Sequence, residues 1–110
     1  MHFAVMAAEA IEWLAIRPEG VYLDATAGLG GHTAEIARRL TTGKAIANDR
    51  DAESLEMARR NTAAWADRIC YHQGTFSQLA RALPACGAEK VNGLLADLGV
   101  SRYQLTEPAR

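Results

Sequence analysis

A short apolar strand that ends in an acid and a glycine-rich turn is the feature that most constrains this fold. The run Val21–Leu23 is apolar, Asp24 follows it, and Gly28, Gly30 and Gly31 come next. Glycine lets the backbone adopt positive φ and approach a neighbour closely, and a helix after such a turn presents free N–H groups. A strand, a glycine turn and a helix in this order predict the first unit of a doubly wound α/β fold.

Helical and extended patterns alternate along the rest of the chain. They predict helices over Val5–Ile16, His32–Leu40, Ala52–Ala64 and Phe76–Leu83. They predict strands over Val21–Leu23, Lys44–Asn48, Ile69–Gln73 and Val91–Ala96. Because a helix lies between each pair of strands, we expect a parallel sheet with helices on both faces and the strand order 3-2-1-4. The predicted fold class is therefore α/β, a partial doubly wound, Rossmann-like sheet.

The fourth predicted strand belongs in the middle of such a sheet, yet the pattern after it offers nothing to cover its outer edge. Residues 102–110 read as a loop. An uncovered edge presents unpaired N–H and C=O groups, so we expect it to permit self-association. We interpret residues 1–110 as the N-terminal part of a single larger domain whose remaining strands are absent.

The charge balance argues against a dedicated nucleic-acid binder, although a nucleic-acid substrate could still be bound by a surface in another domain. The 110 residues carry a net charge of −1, and 49% of them are hydrophobic. Such a chain can bury a core, but it lacks the positive charge of a dedicated nucleic-acid-binding domain. Residues Met1–Leu14 contain two glutamates and no basic leader, so we expect no signal peptide.

The cysteines and histidines show no metal-ligand spacing. Cys70 and Cys86 stand far apart in the sequence, and we predict that both are reduced, buried thiols. The three histidines have no ligand spacing to one another or to a cysteine, so we predict no metal site.

The acid before the glycine turn bears on the choice of ligand. Asp24 suits a positively charged ligand, such as the sulfonium and ammonium of S-adenosylmethionine, better than a pyrophosphate. The glycine spacing also departs from the Gly-x-Gly-x-x-Gly pattern of NAD-binding turns. The alternative interpretation is a plain strand-to-helix turn with no ligand.

Three further side chains follow predicted strands at the same edge of the sheet. Asp49 can accept both ribose hydroxyls of an adenosine-containing cofactor, or it can serve, like Asp51, only as a helix cap. Phe76 can flank an adenine or belong to the core. Asp97 would face the reactive end of the cofactor, or it is a loop acid bonded to its own backbone.

With these motifs in view, the chain resembles the MraW/RsmH family of S-adenosylmethionine-dependent methyltransferases. The resemblance starts at His2 and covers nearly the whole chain, with Ala4 in place of the family's proline. Its main motifs are Asp24–His32, Asp49–Asp51, Gly74–Phe76, Asp97–Ser101 and Gln104-Leu105. Arg102 and Thr106 depart from the family's usual serine and aspartate.

The resemblance implies a class I methyltransferase fold and methyl transfer from S-adenosylmethionine to the N4 amine of a cytidine in small-subunit ribosomal RNA, in the cytoplasm. It implies cofactor contacts at Gly30, Gly31, His32, Asp49, Phe76, Asp97 and Gln104. Asp97 is also the candidate catalytic residue. Family members are longer and add further strands and an inserted helical domain that holds RNA.

Two other functions remain open at this point. The chain could be a non-catalytic cofactor-binding or assembly module that uses its sheet edge. It could also be a fragment of an NAD-dependent oxidoreductase, which the acid before the turn and the glycine spacing disfavour.

Overall fold

Strands and helices alternate along the chain in the computed structural model, which describes residues 11–28, 30–96, 99–101 and 105–106. The helices are α1 (Gly31–Arg38), α2 (Ala52–Asn61) and α3 (Leu79–Ala85), with 3₁₀ segments at Ala63–Arg68 and Phe76–Gln78. The strands are β1 (Val21–Asp24), β2 (Lys44–Asp49), β3 (Ile69–Gln73), β4 (Lys90–Val91), β5 (Gly93–Ala96), β6 (Gly99–Ser101) and β7 (Leu105–Thr106). Residues 11–14 are also helical, and the earlier part of the predicted first helix lies outside the described residues.

The main sheet has the order β3-β2-β1-β5-β6. The first four of these strands are mutually parallel. With β5 as the fourth predicted strand, the expected order 3-2-1-4 is confirmed. The chain therefore changes direction across the sheet between β1 and β5, and such a switch point leaves a crevice at the carboxyl ends of the strands.

The prediction of one continuous strand over Val91–Ala96 is wrong, because Asn92 interrupts it. The Asn92 N–H donates to the Val21 carbonyl (2.6 Å), and the Asn92 side-chain oxygen accepts from the Val21 N–H (2.9 Å). Residue 92 thus bonds to β1 partly through its side chain. On one side of it β5 pairs with β1, and on the other β4 pairs with β7 in a separate two-stranded sheet.

The predicted open edge at β5 is also wrong. The strand β6 lies antiparallel beside β5, with Ala96 opposite Gly99 and Leu95 opposite Val100. The chain folds back and supplies partners for backbone groups that would otherwise stay unpaired. The main sheet is therefore mixed, and self-association through an edge at β5 loses its structural basis.

Helices cover both faces of the sheet, as predicted, because neighbouring side chains on a strand point to opposite sides. Tyr22 and Leu23 of β1 are both buried but belong to different core clusters. The Tyr22 cluster includes Ile36 and Ala37 of α1 and Ala58 of α2. The Leu23 cluster includes Leu79, Ala82 and Leu83 of α3.

Several helix ends differ from the sequence prediction. The helix α1 ends at Arg38 instead of Leu40, and α3 begins at Leu79 after a 3₁₀ turn. The helix α2 stops at Asn61, and a 3₁₀ helix continues from Ala63. The helix α3 continues through Pro84 to Ala85, two residues beyond the predicted end at Leu83. Proline has no N–H to donate in a helical hydrogen bond. Pro84 nevertheless lies in the last turn of α3, and the helix ends one residue later at Ala85.

Cys70 and Cys86 form a disulfide, so the prediction of two reduced thiols is wrong. Cys70 lies in β3 and Cys86 directly follows α3, and the return of the chain places their Cα atoms 5.9 Å apart. That separation suits a disulfide, whereas the 16-residue spacing in sequence gives no sign of it.

Removing this crosslink should destabilise the fold. A chain with both Cys70→Ala and Cys86→Ala should lose about 3 kcal/mol of unfolding free energy, because the bond limits the freedom of the unfolded chain. Urea unfolding of the oxidised wild type and the double variant measures this difference. Reductant should lower the unfolding free energy of the wild type to that of the double variant, and it should leave the unfolding free energy of the variant unchanged. A reductant-insensitive wild type would contradict the crosslink.

Candidate functional site

A pocket of about 530 Å³ opens above the carboxyl end of β2. The first wall is formed by residues that come after β1 and the second wall by residues that come after β3, with the end of β2 between them. The lining residues are Ala25, Thr26, Asp49, Arg50, Gly74, Thr75 and Ser77. Its position at the carboxyl ends of parallel strands is where open α/β sheets bind their ligands, and its volume falls in the range of small-molecule sites.

Asp49 is the predicted site residue that lines this pocket. Its Oδ2 accepts a hydrogen bond from the Gly28 N–H (2.8 Å), and its Oδ1 accepts one from the Asp51 N–H (2.9 Å). These two bonds fix the orientation of the carboxylate. Each oxygen retains a further lone pair, so the group can still accept hydrogen bonds from a ligand.

Asp51 has the capping role that the sequence suggested. Its side chain accepts a hydrogen bond from the Glu53 N–H (3.0 Å) at the start of α2 and another from the Ser54 hydroxyl (3.2 Å). Asp51 therefore provides an acceptor for a free backbone N–H at the start of α2. Asp49 does not cap the helix and faces the pocket.

The glycine turn contains two neighbouring glycines with different surroundings. Gly30 has φ +93°, and a Cβ there would lie 3.0 Å from Thr62 Cγ2 and 3.1 Å from Ala58 Cα. The fold therefore requires a glycine at 30, because the turn packs directly on α2. Gly31 is exposed, and a Cβ there would meet no atom within 4 Å. The space beside Gly31 is open to a ligand.

Asp24 ties β1 to α1. It is buried, and its Oδ2 accepts a hydrogen bond from the buried Thr33 hydroxyl (2.7 Å). A carboxylate at the end of β1 thus holds the helix that follows the glycine turn.

The other predicted contacts lie outside the pocket wall or outside the described residues. His32 is partly exposed in the first turn of α1, next to Gly31. Phe76 begins the 3₁₀ turn after β3, and its side chain is outside the described part. Asp97 and Gln104 also lie outside the described residues.

Sequence reasoning missed a buried amide at the base of the pocket. Asn48 is 1% exposed, and its Nδ2 donates to the carbonyls of Ala25 and Gly74, both at 3.1 Å. Its Oδ1 lies 2.8 Å from His72 Nδ1. The available signal was a polar residue directly before Asp49 at the end of an apolar strand, which we took only as the end of the strand.

The described ranges offer neither a metal site nor a membrane-spanning helix. No group of three or more His, Cys, Asp or Glu side chains there could hold a metal ion. In the same residues, no helix has the length and apolar character needed to cross a membrane.

The strand order and the covered faces define a Rossmann-like, doubly wound α/β domain, and the pocket lies at the carboxyl ends of its strands. A model of the MraW methylase family matches residues 1–110. The chain belongs to this family.

Curated relatives agree with this assignment. Ribosomal RNA small subunit methyltransferase H of Solibacter usitatus is 72% identical over 110 residues, which are 100% of this chain and 38% of that protein. Ribosomal RNA small subunit methyltransferase H 2 of Agathobacter rectalis is 42% identical over 99% of this chain and 35% of its own length. The chain thus spans little more than a third of these relatives.

Solved structures share the fold at low sequence identity. The O-methyltransferase TomG from Streptomyces achromogenes, in complex with SAM, has a TM-score of 0.70 at 18% identity and covers 88% of this chain and 45% of its own. An O-methyltransferase from Bacillus cereus, in complex with SAH, has a TM-score of 0.68 at 18% identity over 87% of this chain and 45% of its own.

The two glycines provide a matched test of the turn. Gly30→Ala should lower the unfolding free energy by about 2 kcal/mol, because the side chain would meet α2 at a positive φ. Gly31→Ala should leave it unchanged or raise it slightly, since alanine favours a helix and finds open space. Urea unfolding of both variants measures the difference. Equal losses would contradict the packing described for Gly30.

Proposed function

We propose that this chain forms the cofactor-binding part of an S-adenosylmethionine-dependent methyltransferase that modifies the N4 amine of a cytidine in small-subunit ribosomal RNA. Membership of the MraW methylase family supports the reaction class. The names of the relatives support ribosomal RNA as the substrate. The observation that carries the proposal is the Asp49 carboxylate, held by the Gly28 N–H and facing the pocket at the end of β2.

The residues of the pocket fit an adenosine-containing cofactor. Asp49 has acceptor capacity left for two ribose hydroxyls, and a carboxylate already held in position loses little freedom when it binds them. Gly31 leaves room for a ligand at the start of α1, where helix N–H groups point outward. When bound, S-adenosylmethionine supplies an electrophilic methyl group on a positively charged sulfur.

The chain's own residues would bind and orient the reactants. In this proposal Gly30, Gly31 and His32 form the cofactor loop, and Phe76 flanks the adenine. Asp97 orients either the target amine or the cofactor's amino group by accepting a hydrogen bond. Gln104 completes the set of cofactor contacts.

Ribosomal RNA and the cytoplasm are part of the same proposal. Recognition of the RNA would fall largely to the further strands and the helical insertion that the resemblance implies. The cytoplasm keeps most thiols reduced, so the Cys70–Cys86 bond would form there only under oxidising conditions.

Ligand choice tests the proposal against an NAD-dependent oxidoreductase. Calorimetry on the 110-residue chain should detect binding of S-adenosylhomocysteine (SAH) in preference to NAD, because the glycine turn departs from the Gly-x-Gly-x-x-Gly spacing that receives a pyrophosphate. Equal or tighter NAD binding would overturn the methyltransferase proposal.

The role of Asp49 is tested by substitution. Asp49→Ala should weaken SAH binding by roughly 1.5–3 kcal/mol, the cost of losing hydrogen bonds to a charged acceptor. For an SAH analogue that lacks both ribose hydroxyls, calorimetry should show nearly the same affinity for the wild type and for Asp49→Ala.

Asp51→Ala is the matched control for this experiment. It should cost about 1 kcal/mol of stability through the lost helix cap and leave SAH affinity unchanged. If Asp49→Ala reduced the affinities for SAH and its dideoxy analogue equally, the ribose contact would be wrong.

A further inference from the structure

We propose that Asn48 is a positioning residue, which together with His72 fixes the spacing of the two pocket walls and thereby sets the affinity for the cofactor. We call these two side chains the Asn48–His72 pair. The inference rests on the proposed function, since it concerns the same pocket.

The amide of Asn48 bonds to both walls at once. Its Nδ2 donates to the carbonyl of Ala25, which follows β1, and to the carbonyl of Gly74, which follows β3. Both residues line the pocket, while Asn48 itself is buried and does not belong to the lining. The two N–H groups are thus both used, one on each wall, and a change at this amide alters the distance between the walls.

The same bonds determine which ring nitrogen of neutral His72 carries its hydrogen. A flipped amide would point its oxygen at two carbonyl oxygens, so Asn48 Oδ1 must face His72. An oxygen there only accepts, and His72 Nδ1 must therefore carry the proton. Neutral His72 is consequently the Nδ1–H tautomer, with Nε2 as its acceptor.

Packing and backbone contacts place the pair directly against the second wall. A Cβ on Gly74 would lie 3.0 Å from His72 Cε1 and 3.4 Å from Asn48 Oδ1. The Asn48 carbonyl accepts from the Ala27 N–H (2.8 Å), and the Asp49 carbonyl accepts from the Gly74 N–H (3.0 Å). Both bonds join main-chain atoms, so a change of the Asn48 side chain leaves their donors and acceptors in place. Loss of the amide should therefore shift the walls without unfolding the site.

Calorimetry with SAH on the 110-residue chain tests the role of Asn48. Asn48→Leu keeps a similar volume but leaves two buried carbonyls without the amide, and SAH affinity should fall about tenfold or more. Tyr22→Phe is the matched control, because it removes a hydrogen bond of a buried side chain near the opposite end of β1, where the Tyr22 hydroxyl accepts from the Arg17 N–H (2.8 Å). Its SAH affinity should stay within about twofold of wild type.

Substitutions of His72, which bonds to Asn48, should have a smaller effect, and one of them should restore the affinity for SAH. His72→Leu should weaken SAH binding about threefold, whereas His72→Asn, which can place an N–H near the position of Nδ1, should restore it to within about twofold. Nitrogen NMR of neutral His72 should show the Nδ1–H tautomer in the wild type and its loss in Asn48→Leu. A purely structural role for Asn48 predicts no such recovery of affinity by His72→Asn.

The outcomes separate this inference from the proposed function. A wild type that binds SAH, together with an Asn48→Leu chain of equal affinity, would overturn the inference and leave the proposed function standing. An Nε2–H tautomer in the wild type would overturn it as well. A wild type that does not bind SAH would overturn the proposed function and, with it, the cofactor role of Asn48.

Discussion

Hydrogen bonds at the carboxyl end of β2 hold the candidate site together. Asn48 and Asp49 lie side by side there, and between them they bond to the loops after β1 and β3 and to the start of α2. Main-chain groups of the same two residues add bonds to Ala27 and Gly74. Because one short segment joins all three neighbours, the shape of the pocket is determined before any ligand enters.

The sheet order could be predicted from the sequence because it depends on repetition. Apolar strands that alternate with amphipathic helices admit few topologies, and the crossover rules select among them. Asp51 was also predictable, since a helix cap depends on a few consecutive residues. These features are local or periodic, so a single sequence contains them.

The features that the sequence did not reveal all depend on contacts between distant residues. Asn92 interrupts a strand only because Val21 lies beside it, and Cys70 meets Cys86 only after α3 has returned to the sheet. The bonds of Asn48 to both walls likewise require three strand ends to be in place. The glycine turn lies between the two cases: its position was predictable, but the packing of Gly30 on α2 was not.

The Cys70–Cys86 disulfide encloses a pocket wall within its ring. Gly74, Thr75 and Ser77 all lie between the two bonded cysteines. The single disulfide thus joins the two ends of this segment, which are also held by β3 and α3. A single protease cut in this wall would leave both pieces attached to each other. Reduction would open the ring and increase the conformational entropy that this segment loses when the chain folds.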